Sequence, residues 1–438
     1  MSSTVNANPT KEFFISMLTR DIDVRAAIQE LIDNSIDGAK RMCPTGDYSG
    51  LYIKITFNEK EFIIEDNCGG IPINIATDYA FRFGRSSNRE KEKDQYYTGV
   101  FGIGMKRSLF RLGDYFEINS QTIDEKFSLK VDVNAWMEDD DQNWQFKLEN
   151  EERNMHNKET GTKITVNRLH DGISKQFALS SFENALISYI QRYRTLAIEK
   201  GLEISVNDRR IVFVSEKIIS TPNIHPYTTS STIDEVSIKI IAGIAPKGTP
   251  ENAGWYVYCN GRLIVFADKT SLTGWGEDGV RSYHPSLAFF RGFVFFESKD
   301  PEKLPWKTTK TNVDTSSLFY IFAKAKMREA AQQIIKTCNK IIDDDENCST
   351  SNDDAKIFSA MNLVSLETSE IDKLTKKANN FSLVVPEISH KEPHSNITFA
   401  KPTREIDLLK KQMGVTTNKE VGEKAFEYYY RKECNSDE

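Results

Sequence analysis

The segment AIQELIDNSIDGAK, residues 27–40, constrains this chain more than any other. With about 100° of turn per residue, Glu30, Asp33, Asn34 and Asp37 share one arc of a helix, and Val24, Ile28, Leu31, Ile32, Ile36 and Ala39 fill the opposite arc. Such a helix packs its apolar side on a sheet and holds its acidic side towards a pocket. A carboxylate and a carboxamide one turn apart can hold an attacking water and a Mg²⁺. Alone, the ExxxNxxD spacing is more often a solvated acidic face, so the segments that follow it decide its meaning.

The first of these, EFIIEDNCGGIP, is an apolar run that ends in Asp66 and then turns through Gly69, Gly70, Ile71 and Pro72. A strand-end carboxylate can accept from an exocyclic amine, and glycine lets the main chain approach a flat ring. The second, TGVFGIGMKRSLFRLGD, is a glycine loop feeding a helix whose first turn carries Lys106 and Arg107. Exposed N–H groups at such a loop bind phosphates. A lone GxxGxG says little; in order after the other two segments it is specific.

In this order the segments resemble those of the GHKL ATPases, the superfamily of gyrase-type topoisomerases, MutL, MORC proteins, ninety-kilodalton heat-shock chaperones and histidine kinases. The resemblance covers roughly the first three quarters of the chain. It implies ATP and Mg²⁺ as ligands, Glu30 as the general base that orients the hydrolytic water, and Asn34 as the Mg²⁺ ligand. Asp66 would receive the adenine amino group, with Gly70 the close-approach glycine. Gly99, Gly102 and Gly104 would form the hinge of a lid over the phosphates, with Lys106 nearby. Ile71 and Met105 belong to the same nucleotide-contacting set. The segment GTKITV (161–166) resembles the fourth motif of the superfamily, in which Thr162 helps hold adenine through Asp66 and water. Cys68 stands where the family usually has glycine.

Further along, EISVNDRRIVFVS, VSIKIIAGIA, WYVYCNGRLIVFAD and LAFFRGFVFFES are β-rich and are expected to form a second domain backed by a helix near 316–342. Here VYCNGRLI (257–264) and LPWKTTKTNVD (304–314) resemble the NGR strand and lysine loop of the transducer domain. A cation at that loop tip can reach across a domain boundary to the γ-phosphate. Lys310 is the candidate and Lys307 the runner-up.

The expected fold class is therefore α+β: a Bergerat-type sandwich over 1–200, a transducer-like α/β domain over 201–342, a polar linker over 343–402 and a helical tail over 403–438. Strands are expected at 51–57, 61–65, 115–119, 126–133, 144–148 and 162–168. Helices are expected at 24–40, 75–83 and 103–112, with one helical stretch from 174 to 200. The charged run within 82–106 has no apolar period and suits a lid. In the tail, two amphipathic helices are expected about Gly414, with Thr417 as a cap and Glu420 three residues on. Its Lys410, Lys411, Lys424, Arg431 and Lys432 lie among aromatics, a pattern that fits a DNA-contacting or dimerising element and equally a docked helix.

Length suits two to three domains, and a net charge of −7 excludes a surface that is basic throughout. The six cysteines form no CxxC pair, which points to reduced thiols and a cytoplasmic protein. The start MSSTVNANPTKEFF has no apolar signal core, and the chain contains no run of about 18 apolar residues, so no membrane span is expected. The resemblance implies an ATPase that dimerises on ATP, with its arm (residues 1–20) or lid meeting the second subunit. The glycine loop is nearest in style to prokaryotic MORC-like ATPases. That style suggests a clamp on DNA or other nucleic acid, with a nuclease or helicase partner, in restriction or phage defence. A chaperone acting on protein clients and a nucleotide-sensing scaffold remain as alternatives at this level.

Overall fold

The computed structural model describes residues 9–82, 104–139, 143–212, 216–220, 224–307, 310, 312–346, 368–369, 379–383 and 397–434. Residues 1–8 of the expected arm, 83–103 of the expected lid with Gly99 and Gly102, and most of 343–402 lie outside these.

An opening helix α1 (Lys11–Thr19) leads to α2 (Val24–Met42), which carries the ExxxNxxD residues. Asp23 starts α2 by accepting from the main-chain N–H groups of Arg25 and Ala26, at 2.7 and 3.1 Å, and so satisfies donors that have no partner within the helix. Strands β1 (Tyr52–Phe57) and β2 (Glu61–Asp66) form a hairpin in which the Asn58 carboxamide accepts from Lys60 and Glu61. A single turn, α3 (Ile73–Ile75), runs into a wider π turn at Ala76–Ala80 where one helix over 75–83 is expected. Then follow α4 (Gly104–Leu112), β3 (Gly113–Gln121), β4 (Glu125–Asp132), α5 (Val133–Glu138), β5 (Leu148–Arg153) and β6 (Gly161–Leu169).

The expected strand at 144–148 is not formed. Trp144 and Phe146 sit in irregular chain, with Trp144 edge-on to Phe14 and Trp136, and Phe146 against Trp136 and Phe116. Pairing begins only at Leu148. Aromatic content there serves packing rather than a ladder.

The helical stretch 174–200 is in three pieces: α6 (Asp171–Phe177), α7 (Ser180–Tyr193) and α8 (Thr195–Glu199). The breaks fall at Leu179, which is extended, and at Arg194, whose side chain is buried on Asp33. Next come β7 (Glu203–Val206) and β8 (Arg209–Arg210). These residues were expected in the second region, but β7 pairs parallel with β1, so they complete the first sheet. That sheet has eight strands in the order β5-β4-β3-β6-β2-β1-β7-β8. Its buried residues Ile53, Ile55, Phe62, Ile64, Ile118 and Val166 share one core with Ile28, Leu31 and Ile32 of α2 and Leu109 of α4.

Gly38 lets α2 sit close to the turn after β2, because a Cβ there would collide with the carbonyl oxygen of Cys68. Gly38→Ala is expected to destabilise the chain by roughly 1–3 kcal/mol as overpacking does, read as a lower denaturant midpoint.

After the short strands β9 (Ile218–Ile219) and β10 (Ile224–His225), a second sheet is built from β11 (Tyr227–Ile233), β12 (Val236–Ile244), β13 (Gly254–Cys259), β14 (Arg262–Asp268) and β15 (Phe290–Glu297). Its order is β11-β12-β15-β13-β14. The β13–β14 turn is Asn260-Gly261, with φ of 47° and 79°, the left-handed pair that tight two-residue hairpins require. Helix α9 (Leu318–Glu346) follows and buries Tyr320, Ala323, Met327, Ala330 and Ile334 along one stripe. Tyr193 and Leu196 pack against the core that includes Tyr256, Leu263 and Phe293, which joins α7 and α8 to this second sheet. Two-residue strands β16 (Thr368–Ser369) and β17 (Ser382–Leu383) pair with β9 and β10.

Residues 397–434 are a separate helical unit. Here α10 (Thr403–Met413) ends in left-handed Gly414, and α11 (Asn418–Glu433) begins with the reciprocal Thr417–Glu420 capping box. No helix among the described residues is long and apolar enough to cross a membrane.

Candidate functional site

A cleft of about 390 Å³, counting its part open to solvent, lies between α2, the ends of β2 and β6, and the start of α4. Its walls include Asn34, Asp66, Gly70, Ile71, Met105 and Thr162, six of the residues expected to contact nucleotide.

At one end Asp66 is buried and aimed by neighbours. Its carboxylate accepts from the Ser35 hydroxyl at 2.6 Å, the Cys68 N–H at 2.9 Å and the Thr162 N–H at 3.3 Å. Burial pushes its pKa up, against these hydrogen bonds. A carboxylate has more acceptor positions than these donors fill, so Asp66 can still take a donor from a ligand. The β2–β6 register sets Asp66 directly across from Thr162.

Gly69 and Gly70 carry the left-handed backbone of the following turn, with φ of 91° and 70°. Cys68 does not, so a cysteine at that position costs no backbone strain. A Cβ on Gly70 would strike the carbonyl of Gln121, so the sheet itself requires glycine there, and Ile71 is fastened by its N–H to the Ser120 hydroxyl at 2.6 Å. Arg41 donates to the Gly70 carbonyl at 3.4 Å and lines the cleft as well. Sequence reasoning did not single out Ser35 or Arg41, although one helical turn separates Ser35 from Leu31 and places it on the same wall.

The acidic arc of α2 is not presented as a whole to this cleft. Asn34 is exposed to it, whereas Asp33 and Asp37 are buried. Asp33 is paired from outside the helix and Asp37 from within it. Arg194 reaches Asp33 at 2.6 Å, and Arg262 at the start of β14 contacts Asp33 and also reaches Glu30 at 3.0 Å. Lys40 bridges Asp37 at 3.1 Å and the Asn260 carbonyl at 3.3 Å. The Asn260 side chain is in turn locked to the main chain of Ser298. Burying this many charges is a poor way to gain stability, since desolvation offsets most of the attraction.

Glu30 lies where the two regions meet. Besides Arg262, it accepts from Lys310 Nζ at 3.1 Å. Lys310 sits at a loop tip with left-handed φ of 51° and a buried side chain, whereas Lys307 is exposed. Burial would push the Glu30 carboxyl up, but the charges of Lys310 and then Arg262 outweigh it and hold it at about 2. Gly104 packs directly on this carboxylate, and a Cβ there would clash with it.

Lys106, expected near the phosphates, has its side chain buried at the start of α4. Its Nζ donates to the carbonyls of Ala80 and Arg82, at 2.8 and 2.6 Å, and so fastens α4 to the chain that follows α3. Among the described residues no cluster of three or more His, Cys, Asp or Glu forms a metal cage. An exposed Asn34 alone suits Mg²⁺, which commonly keeps its waters and binds chiefly through substrate phosphates.

Residues 22–162 match the model of the family described as histidine kinase-, DNA gyrase B-, and HSP90-like ATPase. The match supports a GHKL-type ATP-binding domain over that segment, and it spans α2, the cleft and β6 as far as Thr162. No curated protein matches the chain.

Proposed function

We propose that this chain is a Mg-ATP-dependent ATPase whose hydrolysis is controlled by its second region. The observation that carries the reading is the reach of Lys310 and Arg262, from the second region, onto Glu30 in the matched domain. A carboxylate held at about 2 is a feeble base, since general-base catalysis works best with a pKa nearer the working pH. A γ-phosphate entering beside Asn34 offers Lys310 a more highly charged partner. Transfer of Lys310 to the phosphate removes the larger of the two charge contacts on Glu30 and leaves it more basic where the attacking water must sit. Hydrolysis then depends on the second region being docked. Mg²⁺, held by Asn34 and the phosphates, would neutralise charge on the transferred group.

In this reading Asp66 receives the adenine amino group, Thr162 supports it, Gly70, Ile71 and Met105 line the base, and Gly99, Gly102 and Gly104 belong to the lid hinge. Asp66→Ala is expected to weaken ATP binding by roughly 10- to 100-fold, the usual worth of a hydrogen bond to a charged group, read by calorimetry. The domain division is proposed to follow the two sheets, with the helical tail as a further unit.

The same reading takes the chain as an ATP-driven homodimer that clamps nucleic acid with a nuclease or helicase partner, in the cytoplasm, in restriction or phage defence. Its support is the resemblance of VYCNGRLI and the lysine loop to a transducer and of the glycine loop to the MORC style. The test is ATP turnover with double-stranded DNA, single-stranded DNA and RNA at two salt concentrations. Stimulation by one of them, weakened by salt, is expected of a clamp. Indifference to all three would replace the clamp with a protein client or partner.

A further inference from the structure

We propose that Arg262 is the positioning residue for Glu30, orienting its carboxylate from the second region while Asp33 shares the same guanidinium. The inference rests on the ATPase reading above and adds to it a residue that acts through the base.

The geometry is a relay rather than a simple pair. One guanidinium nitrogen of Arg262 contacts Glu30 at 3.0 Å and Asp33, three residues on and on the same helix face. The Asp33 carboxylate also receives Arg194, whose guanidinium donates to the Gln29 carbonyl at 3.5 Å. The charged groups around Glu30 are thus Lys310 from the loop, Arg262 from β14, Asp33 on its own helix and Arg194 from the α7–α8 break, with Tyr189 of α7 beside Arg262 and Gly104 of α4 packed on the carboxylate. Arg262 is itself anchored, because the Asn260-Gly261 turn that precedes it is fastened to Ser298. Arg262 therefore fixes one oxygen of Glu30 while Lys310 takes the other. When Lys310 turns to a phosphate, Arg262 remains to hold the carboxylate in line.

The role has a sign that a purely structural ion pair would not show. The base works ionised, so turnover falls as pH drops through its pKa. Removing a cation from its side raises that pKa and moves the acid limb to higher pH. For Arg262→Gln in the full chain, kcat is expected to fall while KM for Mg-ATP stays near wild type, and the acid limb of kcat is expected to rise by about one unit or more. Arg262→Lys keeps charge but not the bridging geometry, so its kcat should fall with the limb nearly in place. Asp33→Asn leaves Arg262 wholly to Glu30 and should not raise the limb.

Wild type and Glu30→Gln are measured alongside. If wild type turns over, Glu30→Gln does not, and Arg262→Gln matches wild type in kcat and acid limb, the positioning role is overturned and the ATPase reading survives. A raised KM for Arg262→Gln with an unmoved limb overturns it equally. If wild type and Glu30→Gln are indistinguishable, the parent reading fails instead. Should Arg262→Gln fail to fold, Arg262→Lys decides, since unchanged kcat in that variant also contradicts the role.

Discussion

Glu30→Gln is expected to abolish ATP turnover, by about 10²- to 10⁴-fold in kcat, and to leave ATP binding largely intact. The carboxamide is isosteric, so the helix and its packing on Gly104 are preserved, but it cannot take a proton from water. Because Glu30 is held by Lys310 and Arg262, the exchange also leaves two buried cations with a weaker partner. Some loss of stability is therefore expected beside the catalytic loss, and the two are separated by measuring rate at saturating nucleotide on folded protein. The acid dependence points the same way. With a folded pKa of about 2, below the ordinary carboxylate value of 4.5, Glu30 contributes stability that is fully present above about pH 4.5. That contribution is lost as pH falls through 4.5 towards 2.

Lys310→Met is expected to lower kcat by about 10²- to 10³-fold, as the loss of one charge-stabilising donor does, and to erase most of the preference for ATP over ADP. The methionine keeps the buried apolar stem of the side chain while removing its charge. Glu30 is then left with Arg262 alone, so its carboxyl rises even without nucleotide. The variant thus separates two contributions: if basicity alone limited the reaction, Lys310→Met would be faster than wild type. A slower variant shows that the charge is needed at the transferred phosphate. Affinities for ATP, ADP and a non-hydrolysable analogue, measured on the same preparation, read out the lost discrimination.

Much of the site is legible in the chain because it is local or periodic. Glu30 and Asn34 are one helical turn apart, Asp66 ends an apolar run, and Gly69-Gly70 marks the turn that follows. The tail is legible for the same reason, since Thr417 and Glu420 sit at capping-box spacing and Gly414 marks the end of the preceding helix. What is not legible is long-range charge pairing. Arg262 is 232 residues from Glu30, and nothing near Asp33 announces that its partners are Arg194 and Arg262. The acidic arc of α2 therefore looks like a pocket-facing surface, whereas two of its four residues, Glu30 and Asp33, receive cations of the second region. The break at Arg194 has the same origin. No glycine or proline marks it, and the buried side chain there is ion-paired with Asp33. Nor does composition distinguish aromatic residues that pair in a sheet from those that pack beside one, which is why the segment about Trp144 and Phe146 reads as a strand.

The most direct test of the account is phosphate release from Mg-ATP by the full chain at saturating nucleotide, beside Glu30→Gln, with ATP binding measured on both. Turnover by the wild type, binding by both and near-silence of the variant are expected. Equal turnover by the two proteins, or ATP binding by neither, would contradict it.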